Sequence, residues 1–374
     1  MKGLYLHFFG FREYSGISKK IYSQIEAFKA NGVDMELCYV DIDKIGNQKR
    51  VVQNFVLDDF GNGFISKFGK WTIFGNTKKY ILSKNIDFIY VRSFYNTNPF
   101  LFYLFNSLRK HGVKVLIEYP TYPYDKETKS EHYRYQPIFL LHRLSRPFLR
   151  FFVDRVITFS DLDYIEGVKT IKISNAIDFN SLPVLNKRPE IINNFNMIAV
   201  AEIHFWHGYD RVIKGLYNYY RDGNGMLDIH FYIAGDGSDV DREELKKLTT
   251  DLQLYDRVHF LGNIYGKDLD SIFELGHIAI ASLGRHRSGV FNLKTLKNRE
   301  YAARGIPFVY SEIDTDFENM SYIHKVPAND SDIDIPSLVD FVSRCKTKPE
   351  EIRATIYPEL SWNNQIKKVV KSIS

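Results

Sequence analysis

The segment Ser282–Val309 concentrates residue types that could bind a phosphorylated ligand. It opens as Ser282-Leu283-Gly284-Arg285-His286-Arg287-Ser288-Gly289 and runs on through Asn292, Lys297, Asn298, Arg299 and Glu300. A basic, glycine-containing loop after a strand offers backbone amides and cations to phosphate, and charge-assisted hydrogen bonds of that kind are strong. An ionised carboxylate only accepts hydrogen bonds, so Glu300 could take two from vicinal ribose hydroxyls. Lys297 and Glu300 are three residues apart and share a face if 292–304 is a helix. The same spacing suits a plain surface salt bridge, and the residues alone leave both readings open.

Ser15-Gly16-Ile17-Ser18 is a second candidate. It joins a first apolar run to a first helical pattern, where glycine lets backbone approach a ligand and free amides favour an anion. A simple strand–helix turn fits it equally well. Other signals carry less. Asp-x-Asp, which could hold a divalent metal beside a diphosphate, occurs at Asp41/Asp43, Asp161/Asp163, Asp239/Asp241, Asp268/Asp270, Asp314/Asp316 and Asp332/Asp334. So many copies make no single one informative. Gly235-Asp236-Gly237 lacks the third glycine of a dinucleotide fingerprint and reads as a tight turn. No Walker loop, Gly-x-Ser-x-Gly or His-Glu-x-x-His is present.

The elements that must position these residues alternate between strand and helix. Leu4–Phe9 reads as a strand, and Ile21, Ile25 and Phe28 mark a helix closed by Gly32. Val33–Val40 is a strand, 64–82 an amphipathic stretch, Asp87–Val91 a strand, 99–111 a helix and Val113–Ile117 a strand. After a Pro- and Asn-containing linker at 181–196 the alternation restarts. Strands are expected at Met197–Ala201, Ile229–Ala234, Val258–Leu261, Ile278–Ala281 and Phe308–Tyr310. Helices are expected at 208–220, 240–253, 268–275 and 292–304. Such alternation predicts parallel sheets with crossover helices, in two doubly wound α/β units.

The chain has 374 residues, 44% hydrophobic and 25% charged, which excludes wholesale disorder and suggests two domains. It lacks an apolar run long enough for a spanning helix, and its N-terminus reads as a strand rather than a signal peptide. Cys38 and Cys345 make neither a zinc spacing nor a disulfide framework, which points to a reducing cytoplasm. The net charge of +5 is modest, and without a known reading module nucleic acid is not an expected partner. Residues 129–155 combine Lys129, Arg134, Arg143, Arg146, Arg150 and Arg155, against only Glu131 and Asp154, with Ile138, Phe139, Leu140, Leu141, Leu144, Phe148, Leu149, Phe151 and Phe152. That pattern suits a basic amphipathic segment on an anionic membrane surface. A packed helix with a solvated face, broken at Pro147, is the alternative.

Several segments, in order, resemble the retaining nucleotide-sugar glycosyltransferases of family four, which have the GT-B fold. Glu300-Tyr301-Ala302-Ala303-Arg304-Gly305-Ile306-Pro307 is similar to that family's Glu-Ala-x-x-x-Gly-x-Pro signature. Ser15-Gly16-Ile17 resembles its Gly-Gly-Ile loop, and Asn175-Ala176-Ile177-Asp178 its Asn-Gly-Ile-Asp. Trp206-His207-Gly208 stands where the family has Lys-Gly, and Val258-His259-Phe260-Leu261-Gly262 resembles its Val-x-Phe-x-Gly strand. Ser361-Trp362 and the following helix resemble the segment that crosses back to the first domain.

The resemblance implies two Rossmann-like domains facing across a cleft: an acceptor-side domain at 1–178, a nucleotide-sugar domain at 179–360, and a crossover helix at 361–374. It implies transfer of a sugar, with retention and without a metal or other cofactor, from a nucleoside-diphosphate donor to an acceptor hydroxyl. A UDP-sugar donor is expected. The acceptor would be a carbohydrate or lipid-linked partner in bacterial surface polysaccharide or glycolipid synthesis, with the enzyme cytoplasmic or peripheral at the inner face of the plasma membrane. Glu300 would hold the ribose, and Gly262, Asn263 and Ile264 would present backbone to the base. Gly16 and Ile17 would approach the diphosphate.

Some positions depart from the pattern. The family's paired Glu is Asn292, its Arg and Lys in the second domain's first loop are Glu202 and His207, and its first-domain His is replaced by Glu118-Tyr119-Pro120-Thr121-Tyr122. His207, Arg211, Arg287 and Lys297 are the candidates to supply donors or positive charge, with Asn292, His207 and Arg287 as the catalytic set. A nucleotide-sugar epimerase and a non-catalytic partner subunit are the rival readings.

Overall fold

In the computed structural model, all residues are described except 12–15, 54, 123, 126–135, 224–225 and 374. Ser15 and the stretch holding Lys129 and Arg134 lie outside the described residues. The chain divides into two compact units. The first comprises Met1–Ser174 with Trp362–Ser374, and the second Asn175–Ser361. The second unit therefore begins at Asn175 rather than at 179.

The first unit holds β1 (Lys2–Leu6), β2 (Asp34–Ile42), β3 (Gln48–Val52), β4 (Phe55–Gly61) and β5 (Phe88–Arg92). It continues with β6 (Lys114–Tyr119), β7 (Arg155–Thr158), β8 (Tyr164–Ile165) and β9 (Val168–Lys172). The sheet order is β4-β3-β2-β1-β5-β6-β7-β9-β8. From β2 to β9 the neighbours are parallel, and helices precede or follow each of them up to β7 as the alternation predicts. By contrast, β7 reaches β9 through the short strand β8, antiparallel to β9, with no helix between. At one edge β2, β3 and β4 form an antiparallel meander that the alternation does not anticipate. Arg50 explains how this edge is tied down: its buried guanidinium bonds Asp58 at 2.8 Å and the Lys70 carbonyl at 2.7 Å.

The amphipathic stretch 64–82 forms two helices, Phe64–Thr72 and Gly75–Ser83. Beneath the carboxyl ends of the parallel strands, Glu118 is fully buried and accepts from Gln24 Nε2 (2.7 Å) and Tyr90 Oη (2.6 Å), and it pairs with Arg92 and Lys20. The Lys20 and Arg92 charges hold its carboxyl below the usual range. Glu118 thus cross-links the first helix, Gly16–Ala30, to β5 and β6. The C-terminal helix Trp362–Ile373 belongs to this unit, with Asn363 bound by Asn31 and Gln365 accepting from the Ser174 amide.

Within 129–155, a helix spans Gln136–Ser145 and passes into a tighter turn at Arg146–Phe151, carrying Pro147. Of the apolar residues, Leu140, Leu141, Leu144, Phe148 and Phe151 are exposed, Ile138, Phe139 and Phe152 are half-buried, and Leu149 is fully buried in the core. Among the described residues, no helix is long and apolar enough to cross a membrane.

The second unit holds β10 (Asn194–Val200), β11 (Asp228–Ala234), β12 (Val258–Gly262), β13 (Ile278–Ile280), β14 (Phe308–Tyr310) and β15 (Ile323–Lys325). Every neighbouring pair is parallel, in the order β12-β11-β10-β13-β14-β15. The central strands β10, β13 and β14 are buried on both faces, as covered parallel sheets require, while the edge strands β12 and β15 are only partly buried.

Candidate functional site

The strand order of the second unit reverses between β10 and β13, and open parallel sheets bind ligands outside the carboxyl ends of their strands at such a switch point. Here the loops after β10 and β13 touch. Leu283 donates its amide to the His207 carbonyl at 2.9 Å, and Gly284 to that of Trp206 at 3.2 Å. Gly208 makes the contact possible. Its φ is +66°, and a Cβ there would lie 2.8 Å from Gly284 N and from Leu283 C.

His207, Arg285, Lys297 and Glu312 gather at these strand ends. His207 is buried, accepts at Nδ1 from the His204 amide (3.2 Å) and stacks on Tyr209 with ring centroids 5.4 Å apart. Burial, reinforced by the Lys297 and Arg285 charges, holds its pKa well below the ordinary value. The ring is therefore neutral, and its accepting Nδ1 assigns the proton to Nε2. Arg285 lies over the Trp206 ring at 5.3 Å, and Trp206 in turn stacks on His204 at 4.2 Å.

Lys297 stands in the first turn of the helix Leu296–Arg304. Its ammonium nitrogen is buried without a hydrogen-bond partner, and burial together with Arg285 pushes its pKa well down. Glu312 follows β14 and is 1% exposed, with both carboxylate oxygens unpartnered. Burial pushes its carboxyl up.

Glu300 shares the helix with Lys297, but the salt bridge between them does not form. Glu300 Oε1 accepts instead from Arg304 Nε at 3.1 Å, and Arg304 also donates to Asp270 at 2.7 Å. The Glu300 side chain keeps 27% of its surface exposed. Gly305 ends the helix at φ +82°, the left-handed cap that lets the Gly-Ile-Pro segment turn into β14.

Two expected cations are committed elsewhere. Arg211 is 0% exposed and donates to the backbone carbonyls of Ser331 (2.7 Å), Pro327 (3.2 Å) and Leu283. It ties loops together and cannot reach a phosphate. Arg287 binds both oxygens of Asp210 (2.8 and 2.9 Å) and Asp330 at 2.6 Å, so two carboxylates offset its charge. Neither its fork nor its charge is available for catalysis in this arrangement.

The helix starts at Leu296, where Thr295 accepts from the Asn298 amide, and not near Asn292. Asn292 lies in an extended stretch bridged in parallel to Ile313, exposed, its carboxamide without a partner among the described residues. Asn175 steadies this stretch by donating to the Lys294 carbonyl at 2.6 Å. Asp314 and Asp316 bind the buried Arg299, which makes this Asp-x-Asp a structural anchor.

Gly262 ends β12 at φ +64°, and Asn263 and Ile264 follow it at least partly open to solvent. Gly16 and Ile17 belong to the other unit, where both are exposed at the start of its first helix. Sequence reasoning missed Glu312 as a site residue. Its only signal is a charged residue two positions after a buried apolar strand.

Residues 194–330 match the family described as glycosyl transferases group 1. No curated protein matches the chain in sequence. Among solved structures, the chain is similar over 100% of both chains to the apo form of the lipopolysaccharide outer core galactosyltransferase WaaB, at 14% identity and TM-score 0.62. An Escherichia coli trehalose-6-phosphate structure bound with UDP-2-fluoro glucose matches at 12% identity and TM-score 0.63, covering 100% of this chain and 99% of that one. The UDP-GlcNAc 2-epimerase of Methanocaldococcus jannaschii matches at 12% identity over 100% and 99% of the two chains, with a lower TM-score of 0.53. These likenesses establish the fold, which is GT-B.

Proposed function

From a GT-B chain whose second unit carries a glycosyl transferases group 1 match, we propose a hexosyltransferase that uses a nucleoside-diphosphate sugar, expected to be a UDP-sugar. The observation that carries this reading is the set of groups at the switch point of the second sheet: Glu300 partly exposed on one helix, Lys297 a turn away, and Arg285 and neutral His207 on the loops beside them. Glu300 would accept from the ribose hydroxyls. Gly262, Asn263 and Ile264 would present backbone to the base. Lys297, Arg285 and the Nε2–H of His207 would meet the charge that develops on the leaving diphosphate, where preorganised donors lower the barrier most. No metal is required by this scheme.

The reaction follows as a front-face displacement with retention. The acceptor oxygen bonds to the anomeric carbon as the bond from that carbon to the β-phosphate oxygen breaks. The acceptor proton passes to the departing phosphate. Asn292, which is exposed, would hydrogen-bond a sugar hydroxyl.

The acceptor is proposed to be a bacterial surface glycan or glycolipid. The exposed Leu140, Leu141, Leu144, Phe148 and Phe151, flanked by Arg143 and Arg150, support peripheral attachment to an anionic membrane. A thermal-shift panel of UDP, GDP, TDP, ADP and CMP, each with EDTA, tests the donor reading. One selective diphosphate shift of about 2–4 °C at saturating ligand is expected. No shift with any nucleotide would turn the reading towards a non-catalytic subunit. Product analysis with donor alone separates transfer from epimerisation.

A further inference from the structure

Lys297 and Glu312 leave an uncommon account open. An ammonium has only donors and a carboxylate only acceptors, so two such groups buried near each other ordinarily pair. Here they do not. The Lys297 nitrogen and both Glu312 oxygens are buried, none has a hydrogen-bond partner, yet each group feels the other's charge. The remaining charges around them do not resolve this. Arg285 adds a second positive charge facing both, His207 beside Lys297 is neutral, and Asp314 near Glu312 is held by Arg299 and Asn298.

Leaving such groups unsatisfied is costly unless something binds there. What satisfies both at once must carry anionic acceptors for Lys297 and hydroxyl donors for Glu312. A sugar joined to a phosphate has both within one short span. Backbone pairing places Glu312 on that path: Ile313, its neighbour, is bridged to Asn292, and Ser311 donates its amide to the Ser282 carbonyl at 3.0 Å. Glu312 therefore lies between the stretch carrying Asn292 and the end of β13, at the switch point.

We infer that Glu312 is a specificity residue for the transferred sugar, its carboxylate accepting a hydrogen bond from a sugar hydroxyl while Lys297 holds the attached diphosphate. This rests on the donor reading proposed above. Both groups are shielded from water in this structure.

Calorimetry on the full chain tests it with UDP-glucose, UDP-galactose, GDP-mannose and ADP-glucose beside UDP, GDP and ADP. For the nucleotide that binds wild type, Glu312→Gln should weaken the nucleotide sugar about ten-fold or more while changing the bare diphosphate by less than about two-fold. Glu312→Asp, which keeps the charge, should recover part of the loss and guards against a folding artefact in the amide variant. Lys297→Met should weaken sugar and bare diphosphate alike. Equal effects of Glu312→Gln on both ligands, or no effect on either, would overturn the inference and leave the donor reading standing. A wild-type chain that binds none of these probes would remove the donor reading and the inference with it.

Discussion

Glu300 is held by Arg304, one turn along its own helix, with Arg304 Nε donating to Glu300 Oε1 at 3.1 Å. Arg304 is simultaneously bound to Asp270 and lies 4.2 Å over the Phe273 ring, so it is a rigid support. The arrangement restrains the Glu300 carboxylate at a partly exposed position and leaves Lys297 out of the pairing.

Removing Glu300 should therefore cost ligand affinity rather than fold. Glu300→Ala is expected to raise the dissociation constant of the preferred nucleotide by about ten-fold or more, the range for hydrogen bonds to a charged group. A 2′-deoxy analogue makes the test specific. It should bind wild type more weakly than the ribonucleotide and bind Glu300→Ala with no such difference. A discrimination that survives in the variant would place the ribose elsewhere.

Arg211 should behave in the opposite way. With its guanidinium spent on the Ser331, Pro327 and Leu283 carbonyls, Arg211→Met leaves buried acceptors unmet, at about 1–3 kcal/mol each. A marked fall in Tm is expected, with nucleotide affinity of the folded fraction unchanged. A large affinity loss at wild-type Tm would restore Arg211 to the binding site.

The first unit should lose stability in mild acid. His142 accepts from the Thr97 amide at Nδ1 (3.1 Å), and burial, then Arg146, lowers its pKa to about 4. His7 is lowered to about 3 by burial, then Arg92. Between these values and the ordinary pKa near 6.5 the unfolded chain binds more protons, so stability falls as pH drops through that window. Circular-dichroism melts from pH 7.5 to 4.5 should show the decline, and His142→Gln should flatten it. A pH-independent Tm across the window would contradict neutral histidines in the fold.

Attachment to anionic vesicles should depend on the Leu140–Phe151 surface. Wild type should sediment with phosphatidylserine-containing vesicles and be released by salt, because the basic contribution is screened within about 8–10 Å at 0.1–0.15 M. Leu141→Glu with Leu144→Glu, both on exposed positions, should abolish sedimentation without altering Tm. Retained binding by the double variant would remove this surface from the proposal.

Much of the fold was legible in the chain. Apolar runs bounded by glycine, alternating with periodic helical stretches, marked the parallel strands, because strands covered on both faces are predominantly apolar. The β3–β4 pair was not legible: Gln48-Lys49-Arg50-Val51-Val52 mixes charge with apolar residues, and its Arg50 is buried only because Asp58 and main-chain carbonyls surround it. Within the site, Glu300 and Lys297 stood out by spacing and resemblance.

What the chain by itself determined is the two-unit parallel α/β plan and the helix bearing Glu300, both set by local periodicity and turn chemistry. Which charges are available to a ligand was decided only by tertiary structure. Arg211, Arg287 and Arg304 are one residue type in one region. The first ties backbone carbonyls, the second is neutralised by Asp210 and Asp330, and the third supports Glu300. Availability depends on partners far away in sequence, such as Ser331 for Arg211 and Asp330 for Arg287, which spacing does not encode. The same is true of Glu312, an ordinary acid in the chain that becomes a buried, unpartnered carboxylate beside Lys297 only when the strand ends assemble.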